Sequence, residues 1–388
     1  MNSGRTIFAQ LMDFLPMHEF RKCVRRYRGH HKVQTFTCRD QFLSMAFAQL
    51  TFRESLRDIE TCLRAMGHKL YHSGFRGRVS RSTLADANGR RDWRIFEDFA
   101  HALISIARPL YAGESFGVEL EHVAYAIDST TIDLCLALFP WAHFRKHKAA
   151  VKLHTLLDLR GSIPCIVHVT DGKTHDVNFL DSLVLEPGAF YIMDRGYIDF
   201  EQLYRIHQSR AFFVIRSKHN FAYTRLGYSA VDKSTGLRSD QVIRPTGPRT
   251  SRLYPVPLRR VHYFDAESKN RIVVLTNHFD LPALTIAQLY KARWRIELFF
   301  KWIKQHLRIK AFFGTSPNAV KTQVWIAISV YVLVAIVKKQ LRLDRALSEI
   351  LQILSISLFE KIDMHHTLTT LRLQNEKVGS HKQLSLFD

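Results

Sequence analysis

Residues 122–128 (HVAYAID) and 190–194 (FYIMD) decide the fold, because each is a short apolar run that ends in an aspartate. Runs of this length and composition predict buried β-strands. A hairpin predicted over residues 151–170 and a short helical stretch separate the two runs. Elements in this order predict a mixed sheet in which the two aspartate-bearing strands lie side by side and parallel. Asp128 and Asp194 are therefore expected at the ends of neighbouring strands, where α/β sheets place their sites.

A third carboxylate lies on a helix predicted from about residue 284 to residue 310. Tyr290, Arg293, Glu297 and Lys304 fall at offsets of 0, 3, 7 and 14, and at roughly 100° per residue they share one helix face. The adjoining face is apolar, so the charged stripe is expected to look into a cleft. Each aspartate alone could be a turn former at a strand end. The three carboxylates together, however, are a possible ligand set for two metal ions that cleave a phosphodiester bond.

The charge of the chain indicates a polyanionic partner. Among 388 residues, 56 Lys and Arg stand against 35 Asp and Glu, a formal net charge of +21. A protein that handles small neutral metabolites has no need of such an excess. The excess is densest between residues 205 and 260, where twelve Lys and Arg against two Asp and Glu give 12 − 2 = +10. With 46% hydrophobic residues, the chain is long and apolar enough for two or three packed units.

Several features predict a cytoplasmic protein that associates with the bacterial nucleoid. The five cysteines form no Cys-x-x-Cys pair, so neither a zinc site nor a disulfide framework is indicated, and a reducing cytosol fits. The first 16 residues lack the layout of a signal peptide. The longest apolar run, Val324–Val337, has 14 residues, fewer than the roughly 20 that span a bilayer, and predicts a buried core helix.

The N-terminal part, residues 1–118, is predicted to be an all-helical module, because apolar residues recur there at three- and four-residue spacing. A helix over residues 55–66, a loop rich in Gly and Arg, and a helix capped by Ser82-Thr83 before residues 84–88 suit a helix-turn-helix. Six arginines are well placed for phosphates and three polar residues are candidate base readers, with a solvated basic loop as an equal alternative. The arginines are Arg76, Arg78, Arg81, Arg90, Arg91 and Arg94, and the candidate base readers are Ser82, Thr83 and Asn88.

Three motifs are specific in combination. They are Asp128-Ser129-Thr130, Asp194-Arg195-Gly196-Tyr197, and Tyr290-x-x-Arg293-x-x-x-Glu297 followed by Lys304. Over residues 120–345 their order and spacing resemble the DDE transposases of the insertion-sequence-four family, whose YREK signature is the last of the three. The helical N-terminal part is similar to the leader domain of one branch of that family. The resemblance implies an α/β fold, in which a ribonuclease-H-like mixed-sheet catalytic core is interrupted by a β-rich insertion and preceded by an all-helical domain.

The segments expected along the chain follow from these observations. Between residues 216 and 277, Gly- and Pro-punctuated β-type segments replace the helical signal, which indicates the insertion. The expected segments are a helical DNA-end-binding domain over 1–118, the first part of the catalytic core over 119–216, the basic insertion over 217–280, the second part of the core with the Glu297 helix over 281–345, and C-terminal helices with a flexible tail over 346–388.

The resemblance also implies roles for the residues of the site. Asp128, Asp194 and Glu297 would bind two Mg²⁺ ions, for which Mn²⁺ can substitute. The ions would serve first to activate water for nicking the element end, and then to use the freed 3′ hydroxyl for hairpin formation and strand transfer. Cations beside metal-binding carboxylates would compete with metal unless phosphates were also present. The residues that would hold DNA near the cut are Tyr290, Arg293 and Lys304.

Further basic and aromatic residues have two interpretations each. Trp294 suits base stacking or a place in the core, and Arg195 suits a phosphate contact or an ion pair. His143 and His147 are four residues apart, but the sequence near them supplies no further metal ligands, so DNA contact or surface exposure is preferred. A basic loop near Asp128 is expected to meet the DNA backbone, with a solvated turn as the alternative. Its cations are Arg145, Lys146, Lys148 and Lys152.

DNA is the expected partner, both as terminal inverted repeats and as target, and the resemblance implies a homodimer around paired ends. The tail residues Gln383, Leu384, Leu386 and Phe387 are similar to the peptide by which bacterial replication proteins dock on the sliding clamp, although a terminal turn packed on the protein gives the same pattern. We therefore expect a DNA transposase that cuts element ends and joins them to a target. Two rivals stay open, a nuclease of the same fold without joining activity and a catalytically inactive DNA-binding regulator.

Overall fold

The computed structural model describes residues 4–145, 148–306 and 312–369. The chain divides into two compact units. The helical unit comprises Met1–Leu110 and Trp302–Asp388, and the sheet unit comprises Tyr111–Lys301. The finer division into five segments stays a prediction.

Helices form the N-terminal part of the chain, which confirms the prediction of an all-helical region. They are α1 (Ile7–Met12), α2 (Met17–Arg26), α3 (Cys38–Leu50), α4 (Leu56–Ala65), α5 (Gly67–Leu70), α6 (Arg81–Arg90) and α7 (Arg94–Tyr111). Thr37 begins α3 with a capping box, in which the Asp40 carboxylate accepts from the Thr37 N–H at 2.9 Å. The apolar faces of α2, α3 and α7 meet where Phe99 packs edge to face on Phe20 and Phe42.

One mixed sheet runs through the described residues of the sheet unit. Its strands are β1 (Ala124–Leu134), β2 (His143–Arg145), β3 (Lys148–Asp158), β4 (Ile163–Asp171), β5 (Phe190–Met193), β6 (Phe212–Arg216), β7 (Tyr223–Ser229), β8 (Leu237–Pro245), β9 (Leu258–Asp265) and β10 (Asn270–Thr276). Their order is β2-β3-β1-β5-β6-β10-β9-β8-β7, and β4 also pairs with β3. The helices of this part are α8 (Asn178–Asp181), α9 (Phe200–Gln208), α10 (Pro248–Leu253), α11 (Ala283–Ala292) and α12 (Trp294–His306).

The centre of the sheet has the predicted arrangement. β1 pairs in parallel with β5, and β5 pairs in parallel with β6. The prediction that the two aspartate-bearing strands are parallel neighbours is therefore confirmed. β3 and β4 form the predicted antiparallel hairpin. This mixed sheet is consistent with the ribonuclease-H-like core that the resemblance implies.

The prediction that Asp128 ends its strand is wrong. β1 continues to Leu134, because its antiparallel ladder with β3 extends to the pair Leu134↔Ala149. Only the parallel pairing with β5 stops, at the pair Ile127↔Met193. Asp128 is the first residue of β1 beyond β5, and it therefore keeps its expected place next to the end of the β5 strand.

The β-rich character predicted for residues 217–280 is confirmed. β7, β8, β9 and β10 form an antiparallel meander. β10 pairs antiparallel with β6, so the meander extends the central sheet without a break. The four strands β10, β9, β8 and β7 thus continue the core sheet beyond β6.

The single helix predicted from residue 284 to residue 310 is wrong in one respect, since α11 and α12 meet at Arg293. The Arg293 N–H bonds to Tyr290 O (3.1 Å) and the Ile296 N–H bonds to Arg293 O (3.0 Å), so the hydrogen-bond ladder tightens to three-residue steps there. Tyr290 and Glu297 consequently lie on different helices. α12 begins in the sheet unit and ends in the helical unit, and residues 307–311 lie outside the described residues.

The C-terminal part of the helical unit contains α13 (Pro317–Gln340) and α14 (Leu347–Ser357). α13 packs against α3, α6 and α14. Residues Val324–Val337 are buried, which confirms the prediction of a core helix. α13 is long and apolar enough to cross a membrane, but 94% of its apolar window is buried inside the protein, as expected for a core helix. The predicted flexible tail and the clamp-like peptide lie outside the described residues.

Candidate active site

Asp128 lies on β1 directly beyond the end of β5. Its Oδ1 accepts from the Ser129 N–H at 2.8 Å, and its Oδ2 accepts from Arg293 Nη1 at 2.8 Å. Burial raises the pKa of Asp128 above its ordinary value, while the charge of Arg293 opposes this effect and the charges of Glu297 and Asp194 add to it. The Asp128 carboxylate is therefore in electrostatic contact with both of the other predicted ligands.

Asp194 follows β5 directly and precedes a 3₁₀ turn over Arg195–Tyr197. Tyr290 Oη, on α11, donates to Asp194 Oδ1 at 3.1 Å. Tyr290 is buried, and burial raises its pKa to about 12. The phenol therefore keeps its proton at neutral pH and acts as a donor to the carboxylate. Because α11 packs on β5 and β6, the first residue of the YREK signature is held against the second aspartate.

Arg293 connects the remaining carboxylates. From the junction of α11 and α12 it donates to Asp128 Oδ2 and to Glu297 Oε1. Its side chain is only 14% exposed. Burial lowers the pKa of Arg293, but Tyr290, Asp128 and Glu297 together raise it above the ordinary value, so the guanidinium stays charged. Its Nε is buried and has no hydrogen-bond partner in the part of the chain that the structure describes.

The three acids thus converge from β1, from the end of β5 and from α12. All three are oxygen donors, the ligand type that Mg²⁺ and Mn²⁺ prefer. Three carboxylates and one guanidinium give a formal charge of −3 + 1 = −2 in a partly buried site. Among the described residues, no group of three or more His, Cys, Asp or Glu lies at metal-ligand spacing, and the guanidinium stands between Asp128 and Glu297. A divalent cation would fit this donor set, because it would offset the negative charges of Asp128 and Glu297 that Arg293 offsets in the structure.

The other residues predicted near the cut lie in different surroundings. Trp294 is 58% exposed, so its interpretation as a core residue is wrong and base stacking stays a prediction. Arg195 is exposed as well, and Lys304 is half-buried on α12 within the helical unit. The DNA contacts predicted for Arg195 and Lys304 stay predictions.

The basic loop near Asp128 is only partly described. Lys148 and His143 are exposed, as a DNA contact requires. The prediction that Lys152 meets the DNA backbone is wrong, because its Nζ donates to Thr174 O at 2.9 Å and its side chain is largely buried. The side chain of Arg145 and residues Lys146 and His147 lie outside what the structure describes.

The predicted DNA-reading helix is α6, and two of its details are wrong. Ser80, rather than Ser82-Thr83, caps α6, because the Ser80 hydroxyl accepts from the Thr83 N–H at 3.2 Å. Asn88 is buried and accepts from Gln41 Nε2 at 2.9 Å, so it does not read bases. Ser82 and Thr83 are exposed, and so are the arginines of this region other than Arg91. These exposed arginines are Arg76, Arg78, Arg81, Arg90 and Arg94.

Arg90 and Arg91 lie beside a groove of about 700 Å³ between α6 and the loop 27–36. Further cations line it, among them Arg28 and Lys32. Arg91 is half-buried and donates to Gln41 Oε1 and to Phe36 O, so it holds the loop against the helix. Arg90 is exposed, with Asp86 at 4.0 Å. The two adjacent arginines thus differ, since Arg91 builds the groove and Arg90 is accessible in it.

A residue that sequence analysis missed is Asp176, between β4 and α8. Its Oδ1 accepts from the hydroxyl of Ser129, the residue after Asp128, at 2.6 Å. Its only signal in the sequence is an aspartate in the turn after the hairpin, and Asp171 and Asp181 give the same signal.

Comparisons with known proteins show which family the chain resembles. The family model of the transposase DDE domain matches residues 119–333. A second model, a domain of unknown function, matches residues 3–76. The chain also resembles the piggyBac transposase in its synaptic complex with hairpin DNA, with a TM-score of 0.47, 10% identity, and coverage of 98% of this chain and 85% of that chain. That structural likeness is too low to inform on function.

Relatives from three bacteria are similar over large parts of the chain. A Sinorhizobium fredii protein named as transposase y4zB is 33% identical over 286 residues, which are 72% of this chain and 78% of the relative. A Geobacillus stearothermophilus protein named as the transposase for insertion sequence element IS5377 is 32% identical, over 53% of this chain and 54% of the relative. A Synechocystis protein named as the transposase for insertion sequence element IS4SA is 24% identical, over 92% of this chain and 99% of the relative.

These matches favour neither the nuclease nor the inactive regulator. The family model spans more than half of the chain and contains all three converging carboxylates. The chain therefore belongs to the DDE transposases, which are metal-dependent enzymes that cleave DNA and transfer strands.

Proposed function

We propose that Asp128, Asp194 and Glu297 are the metal ligands of a transposase of the insertion-sequence-four branch, which cuts the ends of its own element and joins them to a target. The observation that carries this proposal is the convergence of three acids from three elements on Arg293 and Tyr290. Clusters of like charge in partly buried places occur preferentially at functional sites, which supports this assignment.

The protein side of the site orients the ligands before any cation arrives. The Ser129 amide holds one oxygen of Asp128, and the Tyr290 hydroxyl holds one oxygen of Asp194. When bound, two Mg²⁺ ions would activate the attacking water or 3′ hydroxyl and stabilise the leaving oxygen. Mn²⁺ has the same preference for oxygen ligands and is expected to substitute.

Arg293 would exchange its partners during the reaction. In the structure its charge offsets that of Asp128 and Glu297. Three carboxylates against two divalent ions leave one positive charge, and Arg293 adds a second, so the loaded site attracts the phosphodiester backbone. Tyr290 and Lys304 would contribute to the same strand, since both belong to the signature.

The remaining contacts extend from the cut along the DNA. Trp294 and Arg195 are exposed and would meet the distorted duplex near the cleaved bond. Arg81 and Arg90 on α6 would bind the phosphates of the inverted repeat, with Arg91 shaping the groove beside them. We infer a homodimer around paired ends, and we place its action at the nucleoid in the cytoplasm, where its substrate is.

The deciding experiment uses the full chain and a labelled duplex that carries the element end. Asp128→Ala, Asp194→Ala and Glu297→Ala are compared with the control Glu267→Ala in nicking, in strand transfer of pre-cleaved ends, and in end binding. The three ligand variants should lose both reactions and keep end binding, because each removes metal ligation and leaves the basic surfaces. Glu267, whose side chain is 90% exposed, is the matched control and should behave as wild type. Nicking retained by any ligand variant refutes its assignment.

The clamp-like tail is tested separately. We propose that Leu386 and Phe387 dock on the bacterial sliding clamp, because apolar anchors on a polar leash suit pocket binding. The double variant Leu386→Ala, Phe387→Ala should no longer be retained by immobilised clamp, while end binding is unchanged. Equal retention of variant and wild type would discard this partner.

A further inference from the structure

Ser129 stands between two carboxylates. Its main-chain N–H donates to Asp128 Oδ1 at 2.8 Å, and its hydroxyl donates to Asp176 Oδ1 at 2.6 Å. Successive residues of a strand project to opposite faces of a sheet. The hydroxyl therefore leaves β1 on the face away from the Asp128 side chain, and Asp176 holds the strand from behind the candidate metal site.

The Asp176 carboxylate is charge-compensated on that face. Lys152 Nζ lies 3.2 Å from Asp176 Oδ1, and the buried His154 Nδ1 lies 3.6 Å from the same oxygen. Ser129 is paired with His154 across the β1–β3 ladder, and Lys152 is two residues away on β3, so the three side chains share one face. The sheet register itself thus delivers these groups to Asp176.

His154 contributes position rather than charge. Burial lowers its pKa to about 4, so the imidazole is neutral at the pH of a bacterial cytoplasm. Its Nε2 is 3.1 Å from Thr170 Oγ1 on β4. The compensating charge next to Asp176 is therefore that of Lys152, and the imidazole contacts Thr170 on the neighbouring strand.

The Asp176 carboxylate does not bond within its own turn but to Ser129, the residue after Asp128. Asp176 is 35% exposed, and it sits in a turn that Asp171 already stabilises through the Thr174 N–H (3.1 Å) and hydroxyl (2.8 Å). The Asp176 carboxylate takes no part in these two bonds of the turn. The Asp176 oxygen instead receives a short bond from a strand residue 47 positions earlier.

We propose that Asp176 is a positioning residue of the transposase: by holding the Ser129 hydroxyl, it fixes the main-chain amide that orients the Asp128 carboxylate. The inference rests on the proposed role of Asp128 as a metal ligand. Groups that orient metal ligands from behind typically change metal affinity by about 10–100-fold when they are removed.

The test measures Mn²⁺ binding to the full chain by calorimetry, together with the Mg²⁺ concentration that gives half-maximal nicking. Asp176→Ala and Ser129→Ala should each weaken Mn²⁺ binding by about tenfold and raise the half-maximal Mg²⁺ concentration alike. The nicking rate at saturating Mg²⁺ should change much less. Ser129→Thr keeps the hydroxyl and should behave as wild type. The double variant Ser129→Ala, Asp176→Ala should lose no more than either single variant, because both remove one interaction.

Asp181 supplies the matched control. It is an exposed acid on α8 near Asp176, and it accepts from Gln202 Nε2 without contact to Ser129. Asp181→Ala should leave both readouts unchanged. If Asp176→Ala does not fold, the contrast between Ser129→Ala and Ser129→Thr decides. Wild-type Mn²⁺ binding by Ser129→Ala overturns the inference, and so does wild-type binding by a folded Asp176→Ala. Nicking retained by Asp128→Ala refutes the proposed function itself, which separates the two failures.

Discussion

Two largely buried arginines of the sheet unit show how an ion pair that builds the fold differs from one in the candidate active site. Arg259, on β9, donates from Nε and Nη2 to both oxygens of Asp240 on β8, at 2.9 and 2.8 Å. Its Nη1 donates to the carbonyls of Phe279 and Leu281. Both side chains of the pair are less than a tenth exposed. Every nitrogen of this guanidinium has an acceptor.

Arg293 is buried to a similar degree, but its partners are divided. Its two terminal nitrogens go to Asp128 and Glu297, which come from a strand and a helix, and its Nε has no acceptor among the described residues. The two acids are 22% and 34% exposed, whereas Asp240 is 7% exposed. A buried donor without a partner costs about 1–3 kcal/mol.

The difference shows which of the two arginines can give up its carboxylate partners to another cation. The Arg259 pair is bidentate and dry, so breaking it leaves a buried charge uncompensated. The Arg293 cluster is open on the side of its acids and carries excess negative charge, so a divalent cation and a phosphate can replace the present contacts without exposing a bare charge. The first arrangement stabilises the fold, and the proposed chemistry would use the second.

The largest expected effect separates the acids of the two clusters. Glu297→Gln should lower the nicking rate by about 10³-fold, because losing one metal ligand costs several kcal/mol of transition-state stabilisation. Its unfolding midpoint in urea should stay close to that of wild type. Asp240→Asn should do the reverse, with a lower midpoint and a near-normal rate for the protein that remains folded. Equal rate losses in the two variants would contradict the distinction.

The next effect is on stability. Arg259→Met should lower the free energy of unfolding by about 3–5 kcal/mol, because Asp240 stays buried without a counter-charge. Urea unfolding of the full chain, followed by tryptophan fluorescence, measures this loss. The double variant Arg259→Met, Asp240→Leu removes both charges and should recover a large part of it. A double variant as unstable as the single one would show that the pair is not the cause.

Much of this architecture is predictable from short-range patterns. The position of β5, the hairpin of β3 and β4, and the parallel neighbours β1 and β5 follow from apolar runs and turn residues. The residue types of the three acids and their order also predict a shared site, and the structure brings the three side chains together. Local patterns do not predict contacts between residues that are distant in the sequence, because a single sequence does not say which of them meet.

Three of the wrong predictions share that origin. β1 extends past Asp128 because a non-local strand, β3, continues to pair with it. The helix break at Arg293 coincides with a side chain bound to Asp128, 165 residues earlier. The local sequence predicts Asn88 on an exposed helix face, but Asn88 is buried and accepts a hydrogen bond from Gln41. Each is a long-range contact that overrides a local preference.

A smaller effect on stability, and on its response to Mn²⁺, is expected when Arg293 itself is replaced. Arg293→Met should cost about 1–3 kcal/mol in the absence of divalent ions, because Asp128 and Glu297 lose their shared cation but stay partly hydrated. Mn²⁺ should then raise its melting temperature more than that of wild type, since the guanidinium no longer competes for the carboxylates. Arg259→Met serves as the control and should gain only what wild type gains. An equal Mn²⁺-induced rise in all three proteins would contradict the exchange.

The smallest effect on stability is expected at an exposed arginine, which extends the comparison to the helical unit. The Arg90 side chain is 82% exposed and 4.0 Å from Asp86, so Arg90→Ala should change the free energy of unfolding by no more than about 0.5 kcal/mol. End binding should nevertheless weaken, and the slope of log affinity against log salt should fall by roughly one unit for the lost phosphate contact. Arg64, which pairs with Glu60 at the same helical spacing on α4, is the matched control. Arg64→Ala should leave the salt slope unchanged, because this arginine lies outside the groove beside α6. If both variants change the slope equally, the effect reports net charge alone, and the groove has no special part in holding the DNA end.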